Sequence, residues 1–399
     1  MSAPASGPRV TVVGGGFAGA RCARALRRAD ARVAVTLVER NATYTACPMS
    51  NAVIVGLREM DQQRFAYEAV RADGITVVPL SATAVDAQAR TVALSDGTRV
   101  GYDRLILAPG IDIRWDAVPG YDEAASLQMP HAWEAGEQTL LLREQLRAMP
   151  DGGLVVISAP AGPSRCPPGP YERASLIAHY LKTHKPRSKL ILLDSKDAFP
   201  RQRLFLDAWR ERYPGLIEWV PLSRGGEVVS VEPATRTLVT DFDRYRAAVA
   251  NVIAPQKAGR IAAVAGIADR SLWCPIDPVT FESKLQPNIH VIGDAALTGA
   301  MPKSAVGANA TAISCAAAVA ALLAGRKPQP ATLSATCSSL VAPNAAILIP
   351  GSYRPQGAEF AQVPGSGDAS SKDSLLAEAV LETEHPDSWF RKLTAEVFG

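Results

Sequence analysis

The sequence predicts an α/β fold made of two doubly wound units of the dinucleotide-binding kind, followed by a smaller C-terminal α+β segment. Three observations carry that reading. Arg9 to Val13 is a β-branched run followed by GGGFAG, the helical stretch Ala20 to Arg28 and the strand-like VAVTLVER, which together make a βαβ unit. Leu154 to Ser158 and Tyr171 to Thr183 repeat the strand and helix, and KLILLDS continues them as a second strand ending in an acid. Asn288 to Asp294, reading NIHVIGD, has the apolar run of a buried strand closed by Gly-Asp.

The first unit carries the most specific local motif. Gly14, Gly16 and Gly19 satisfy GxGxxG: the first allows the tight turn, the second lets backbone approach a pyrophosphate, and the third lets helix pack on strand. Glu39, with Arg40 beside it, stands 20 residues past Gly19, where a carboxylate accepts bonds from ribose hydroxyls. From Gly74 to Leu107 the chain reads as short strands with an Asp-Gly turn, returning to a core strand that ends at Ala108-Pro109-Gly110, close to a bound cofactor. Such a β-rich insertion is common in FAD-binding domains. Asp294, ending the strand from Asn288, can accept bonds from ribityl hydroxyls, while the helix from about Lys303 points its positive end at the ring.

The second unit departs from the pattern. Its loop, APAGPSRCPPGPYERA, holds five prolines where a second glycine fingerprint would cradle NAD, and proline cannot donate a backbone N–H to a phosphate. Nicotinamide binding there looks lost. Asn251 to Pro255 reads as the strand crossing back to the first unit, so residues 8–112 and 251–327 are expected to form one domain, 113–250 a second and 328–399 a third. Within the last, Pro355 to Lys372 reads as an exposed loop and Ser374 to Phe398 as helical.

Composition removes several classes. Lys and Arg total 42 against 39 Asp and Glu, a net charge of +3, which supplies no broad basic surface for nucleic acid. Ser304 to Gly325 is uncharged but rich in Ala and includes Asn309, Thr311 and Ser314, so a buried helix is expected there and not a membrane span. MSAPASGPRV has no basic region or apolar run of a signal peptide, leaving a cytoplasmic chain or one whose leader is gone. None of the six cysteines pair as CxxC, so metal-ligand spacing is absent, and the absence of CxxCH excludes a c-type haem on this chain.

The opening GGGFAG, the strand NIHVIGD and six further pieces resemble the flavoprotein subunit family of flavocytochrome c sulfide dehydrogenase. These pieces are TACPMSN, RCPPGPYERA, SLWCPID, AMPKS, ATCSSLVAP and the terminal SWF to FG. The likeness implies a glutathione-reductase-like flavoprotein. It implies FAD joined by a thioether to Cys47, with Asn51 in the following Ser-Asn pair, although Ala46 and Pro48-Met49 depart from the family's usual residues. It implies a redox disulfide between Cys166 and Cys337, and an acid at Glu172 able to act as general base. It also implies hydrogen sulfide as substrate, a haem-bearing cytochrome c subunit as partner in a heterodimer, and a periplasmic location. A disulfide is attacked well by hydrosulfide, leaving persulfide on one sulfur and thiolate on the other.

Other residues read as structure. Cys22, Cys315 and Cys274 are expected in the core, His131 at a helix start or interface, and Trp389 in packing or near the partner. Two rivals share the fold. A sulfide:quinone oxidoreductase needs an amphipathic C-terminal anchor, against which stand Glu378, Glu382, Glu384, Asp387, Arg391 and Lys392. An NADH-dependent disulfide reductase is opposed by the proline-filled loop. A third, non-catalytic flavin-binding reading would leave sulfide-dependent activity indifferent to Cys166.

Overall fold

The computed structural model describes residues 7–367 and 386–399. Arg9–Val13 forms the centre of a five-stranded parallel sheet because every residue after Arg9 is buried, both faces being covered. Ala34–Val38 and Thr76–Val78 extend the sheet on one side, and Arg104–Leu107 and Ile289–Val291 on the other. The expected short strands between 74 and 107 are present, with Ala82–Asp86, Thr91–Leu94 and Arg99–Gly101 forming an antiparallel sheet.

The helix Phe17–Ala29 leaves the glycine turn and packs against the helix Ala305–Leu323. Small buried residues make this close approach possible: Ala20 and Ala23 on one helix, Ala308, Ala312 and Ala316 on the other. Ala305–Leu323 is, among the described residues, the one helix long and apolar enough to cross a membrane. Cys22 and Cys315 are buried on these two helices, and Cys274 is buried at the strand Cys274–Pro275, as expected of core residues.

A second parallel sheet is ordered Ile217–Val220, Lys189–Asp194, Leu154–Ala159, Val249–Val252. This corrects one expectation. The strand anticipated at Asn251 lies earlier, and it pairs with Leu154–Ala159 instead of crossing to the first sheet. Asn251 holds it there, its Nδ2 donating to the carbonyls of Pro130 (2.7 Å) and His131 (2.9 Å). The chain returns to the first unit through Gln256–Ala258, which pairs antiparallel with Ile111–Ile113.

The C-terminal segment is two small antiparallel sheets and a helix. Cys337–Ala342 pairs with Ala345–Ile349, and Ser352–Gln356 pairs with Glu359–Gln362. The second pairing overturns the loop expected from Pro355: Tyr353 and Phe360 are buried and draw the segment into a hairpin despite the proline. Residues 368–372 of that expected loop lie outside the described residues, as do Ser374 to His385 with Glu378, Glu382 and Glu384. Pro386–Phe398 is helical, and its last ring, Phe398, lies 5.2 Å from Tyr44 and 5.4 Å from Phe65, stacked on both. Arg24 ties the same end down, donating to the Val397 carbonyl at 3.1 Å.

At Gly19 an added Cβ would lie 1.8 Å from the Gly14 carbonyl oxygen, inside van der Waals contact with rigid backbone. Gly19→Ala is therefore expected to destabilise the protein by about 1–3 kcal/mol, measured by chemical denaturation. Wild-type stability in that variant would contradict the packing described.

Candidate functional site

One cleft runs from the glycine turn to the proline loop. Gly14, with φ +100°, lies under the end of the strand Arg104–Leu107, so close that a Cβ would meet the Ala108 oxygen at 2.3 Å. Gly16 faces the Tyr44 ring, and the first helix has no acid in its first turn, leaving its positive end open to an anion. Glu39 flanks this end, accepting from Gly15 N at 2.7 Å and Asn41 N at 2.9 Å. Its carboxylate has acceptor sites beyond these two. Ala108 and Gly110 line the same cleft. Arg40 does not: it is exposed and outside the lining.

Asp294 lies in the turn after Ile289–Val291. Its Oδ1 is buried without a hydrogen-bond partner, and burial pushes its pKa up against the pull of Arg165 and Lys303. A buried acceptor left unmade is costly, so a ligand hydroxyl at this point fits the donor that the protein itself omits. Lys303 is placed differently from the expectation. Its ammonium donates to the carbonyls of Asp294 (2.8 Å) and Ala296 (2.7 Å), lies 4.1 Å over the Trp273 ring, and is outside the cleft lining. Burial lowers its pKa to about 8. Lys303 braces the Asp294 turn from behind, and Ser304 caps the next helix through Gly307 N at 3.1 Å.

At the other end, Cys47, Cys166 and Cys337 all line the cleft, and all three are free thiols. Cys166 stands in the proline loop at φ +52°, its N–H donating to the Lys303 carbonyl at 2.8 Å. Cys337 opens the strand Cys337–Ala342 and meets the Ser304 hydroxyl. Burial, reinforced by the Glu172 charge, raises both the Cys166 and Cys337 pKa values. Glu172 sits in the first turn of the helix Gly169–His184 and is 8% exposed. Burial moves its pKa up to about 7, against hydrogen bonds from Asn51, Ser339 and the Leu340 backbone. Asn51 lines the cleft, yet its amide is engaged by protein: Nδ2 donates to Glu172 Oε1 at 3.1 Å, and Oδ1 accepts from Arg173 Nε at 2.9 Å.

Three cleft residues escaped the sequence reading. Arg165 and Arg173 flank Cys166 and Glu172 in the very motif that marks the site, and Trp133 follows His131. Arg165 donates to the Trp133 carbonyl and places its charge near Cys47 and Asp294. The only available signal was a cation beside each chemically marked residue. His131 is structural: its Nδ1 accepts from Trp133 N at 3.0 Å, and burial lowers its pKa to about 4. Trp389 half-buries its ring at the cleft wall.

In the second unit a separate cavity lies along the proline loop, lined by Pro160, Gly162, Pro163 and Lys196, while the strand-end acid is engaged by protein. Asp194, the acid ending Lys189–Asp194, is fully buried and accepts from Tyr171 Oη (2.7 Å), Trp219 Nε1 (3.0 Å) and Lys196 Nζ (2.6 Å). Tyr171 stacks on Phe199 at 3.5 Å.

A glycine cradle on one parallel sheet, a second unit of the same kind, and cysteines converging on the shared cleft define a two-domain disulfide oxidoreductase fold of the flavin-binding class. Comparison with known families agrees with it. Residues 8–145 match the pyridine nucleotide-disulphide oxidoreductase model. Residues 139–254 match the central region of the sulfide dehydrogenase [flavocytochrome c] flavoprotein chain, and 329–398 the flavocytochrome c sulphide dehydrogenase flavin-binding model. The chain is 56% identical over 45 residues to the sulfide dehydrogenase flavoprotein chain of Chlorobaculum thiosulfatiphilum, covering 94% of that relative and 11% of this chain. It belongs to the flavocytochrome c sulfide dehydrogenase flavoprotein family.

More distant likenesses show the fold. The mitochondrial sulfide:quinone oxidoreductase of Mus musculus is 22% identical over 300 residues, 71% of this chain and 65% of that one. The sulfide:quinone oxidoreductase structure from Aquifex aeolicus superposes with a TM-score of 0.77 at 19% identity, over 98% of this chain and 92% of that chain. Putidaredoxin reductase in its putidaredoxin complex gives 0.65 at 18% identity, over 88% and 87%.

If Asp294 Oδ1 awaits a ligand hydroxyl, Asp294→Leu should retain at least about tenfold less flavin than wild type through purification. Absorbance near the flavin maximum per mole of protein measures this. Full occupancy in the variant would remove Asp294 from the binding site.

Proposed function

We propose that this chain is the sulfide-oxidising subunit of a flavocytochrome c: it binds FAD, oxidises hydrogen sulfide through a Cys166–Cys337 disulfide, and delivers electrons to a haem-bearing cytochrome c partner. The observation that carries the reading is convergence. Cys166, Glu172 and Cys337 come from a proline loop, a helix and a distant strand, yet all three line the cleft that opens at the glycine cradle. Gly14, Gly16 and Glu39 suit the adenosine diphosphate end, Asp294 the ribityl chain, and Cys47 is the nucleophile available for a covalent thioether to the ring. When bound, FAD supplies a two-electron acceptor that can release electrons singly to a haem.

The chain's residues account for the sulfur chemistry. Hydrosulfide attacks one sulfur of the Cys166–Cys337 bond; a new S–S bond forms, the old one breaks, and the other cysteine leaves as thiolate. The substrate proton remains on the persulfide until a base removes it. Glu172, with its pKa near neutrality and its charge felt by both cysteines, is that base. Re-forming the disulfide from that persulfide and thiolate releases the outer sulfur as elemental sulfur or polysulfide and yields the two electrons that bound FAD would accept. A disulfide-dependent enzyme of this kind suits the oxidising periplasm.

Three outcomes test this. Cys166→Ser should abolish sulfide-dependent cytochrome c reduction in the reconstituted complex while the flavin stays bound. Undiminished activity would show that the chain only carries flavin, and transfer to quinone in preference to cytochrome c would move it to the quinone-linked class. Acid precipitation of wild type should leave yellow flavin on the Cys47 peptide, whereas Cys47→Ser should release it; free FAD from wild type would remove the covalent link. Glu172 acts as base only when ionised, so activity at equal hydrosulfide concentration should rise with pH through about 7. Glu172→Gln should lower kcat by about 10²-fold or more and flatten that limb, and an unchanged profile would dismiss Glu172.

A further inference from the structure

Arg173 is the largest buried charge at the site that the sulfur chemistry does not use. It is 2% exposed. Its guanidinium lies 5.0 Å over the Trp133 ring, with Nη1 donating to His131 O and Asn251 Oδ1, each at 2.9 Å, and Nη2 to Ala132 O at 2.6 Å. The remaining donor, Nε, points at Asn51 Oδ1 at 2.9 Å.

That last contact settles the orientation of an amide. A guanidinium has donors and no acceptor, so the Asn51 atom facing Nε must be the oxygen. The Asn51 nitrogen is thereby turned to Glu172, donating to Oε1 at 3.1 Å and, at the longer distance of 3.4 Å, to the Gly169 carbonyl. Were Arg173 absent, Asn51 could rotate about its terminal bond and set its oxygen against the carboxylate, an arrangement tolerated only when Glu172 is protonated. We propose that Arg173 is a positioning residue for Glu172: by fixing the Asn51 amide, it keeps a donor on the carboxylate and aims that carboxylate at the cysteine pair. This rests on the reading of Glu172 as the base.

The other groups facing Glu172 do not duplicate the control. Ser339 and the Leu340 backbone, from the strand Cys337–Ala342, donate to it independently of Asn51. Cys166 from the proline loop and Cys337 from the strand are acids that add negative charge only on ionising. Arg173 itself also favours the ionised carboxylate by charge, so the charge contribution and the relay must be separated. Burial already lowers the Arg173 pKa to about 9, so a lysine there would lose charge as well as the rigid fork. The two contributions are separated by comparing Arg173→Lys with and without Asn51: beside Asn51→Leu only the charge contribution remains.

The test uses the full-length holoprotein and infrared difference titration. The protonated-carboxyl band that disappears in Glu172→Gln identifies Glu172, and its midpoint is followed in the variants. Asn51→Leu and Arg173→Lys should each raise the midpoint by about one pH unit, and Arg173→Lys should raise it less beside Asn51→Leu than in the wild-type background. Additive shifts, or an Arg173→Lys midpoint equal to wild type, overturn the relay. Should Arg173→Lys not fold, Asn251→Ala, which loosens Arg173 without touching Glu172 or Asn51, should raise the midpoint in the wild-type background and leave it unchanged beside Asn51→Leu. No shift in the wild-type background overturns the proposal equally. The pH profile of sulfide oxidation is read in parallel. If the infrared midpoint moves and the turnover profile does not, Glu172 is not the base, and the relay stands as the device that sets its charge.

Discussion

A guanidinium removed from water has to be met by acceptors on every side, and at Arg173 that requirement binds four separate parts of the chain. Its hydrogen bonds reach the Ser50–Ile54 helix through Asn51, the His131–Ala132 turn, and the strand Val249–Val252 through Asn251, all from the helix Gly169–His184. The first two segments and Arg173 itself border the cleft, so the cleft's shape follows from one buried cation finding its partners. Leaving such a charge unpaired in the interior is among the most destabilising changes a protein can suffer.

The same helix explains how the reactive groups come together. Four prolines stiffen the loop before Gly169, where Cys166 stands at positive φ with its N–H on the Lys303 carbonyl. Glu172 then emerges in the first helical turn, facing Cys166 and the strand that brings Cys337. The proline loop is the support of a cysteine. The acid ending Lys189–Asp194 is turned inward onto Tyr171, Trp219 and Lys196.

Much of this was legible in the sequence. Strand, glycine turn, helix and acid are local patterns with strong physical causes, and they located the first sheet and its cradle directly. Cys47, Cys166, Cys337, Glu172 and Asp294 were found because their motifs carry chemistry, and all line one cleft. Lys303, Arg40 and the strand at Asn251 were harder. A helix-start lysine and an acid's neighbour look alike whether they face a ligand or not, and the partner of a parallel strand is set by tertiary contacts that lie far away in sequence. Arg165 and Arg173 were passed over because a cation beside a marked residue has no periodicity to reveal its burial. The Tyr353–Phe360 hairpin is masked by Pro355 and by the glycine at its turn, although each of its strands buries one aromatic ring.

The central claim is that two cysteines distant in sequence act as one redox pair beside a flavin. Peptide mapping of the oxidised holoprotein without reductant tests it most directly. A cross-linked product joining the Cys166 and Cys337 peptides, reduced stoichiometrically by sulfide with flavin bleaching, is the expected result. Two unlinked thiols in protein that still bleaches with sulfide would contradict it.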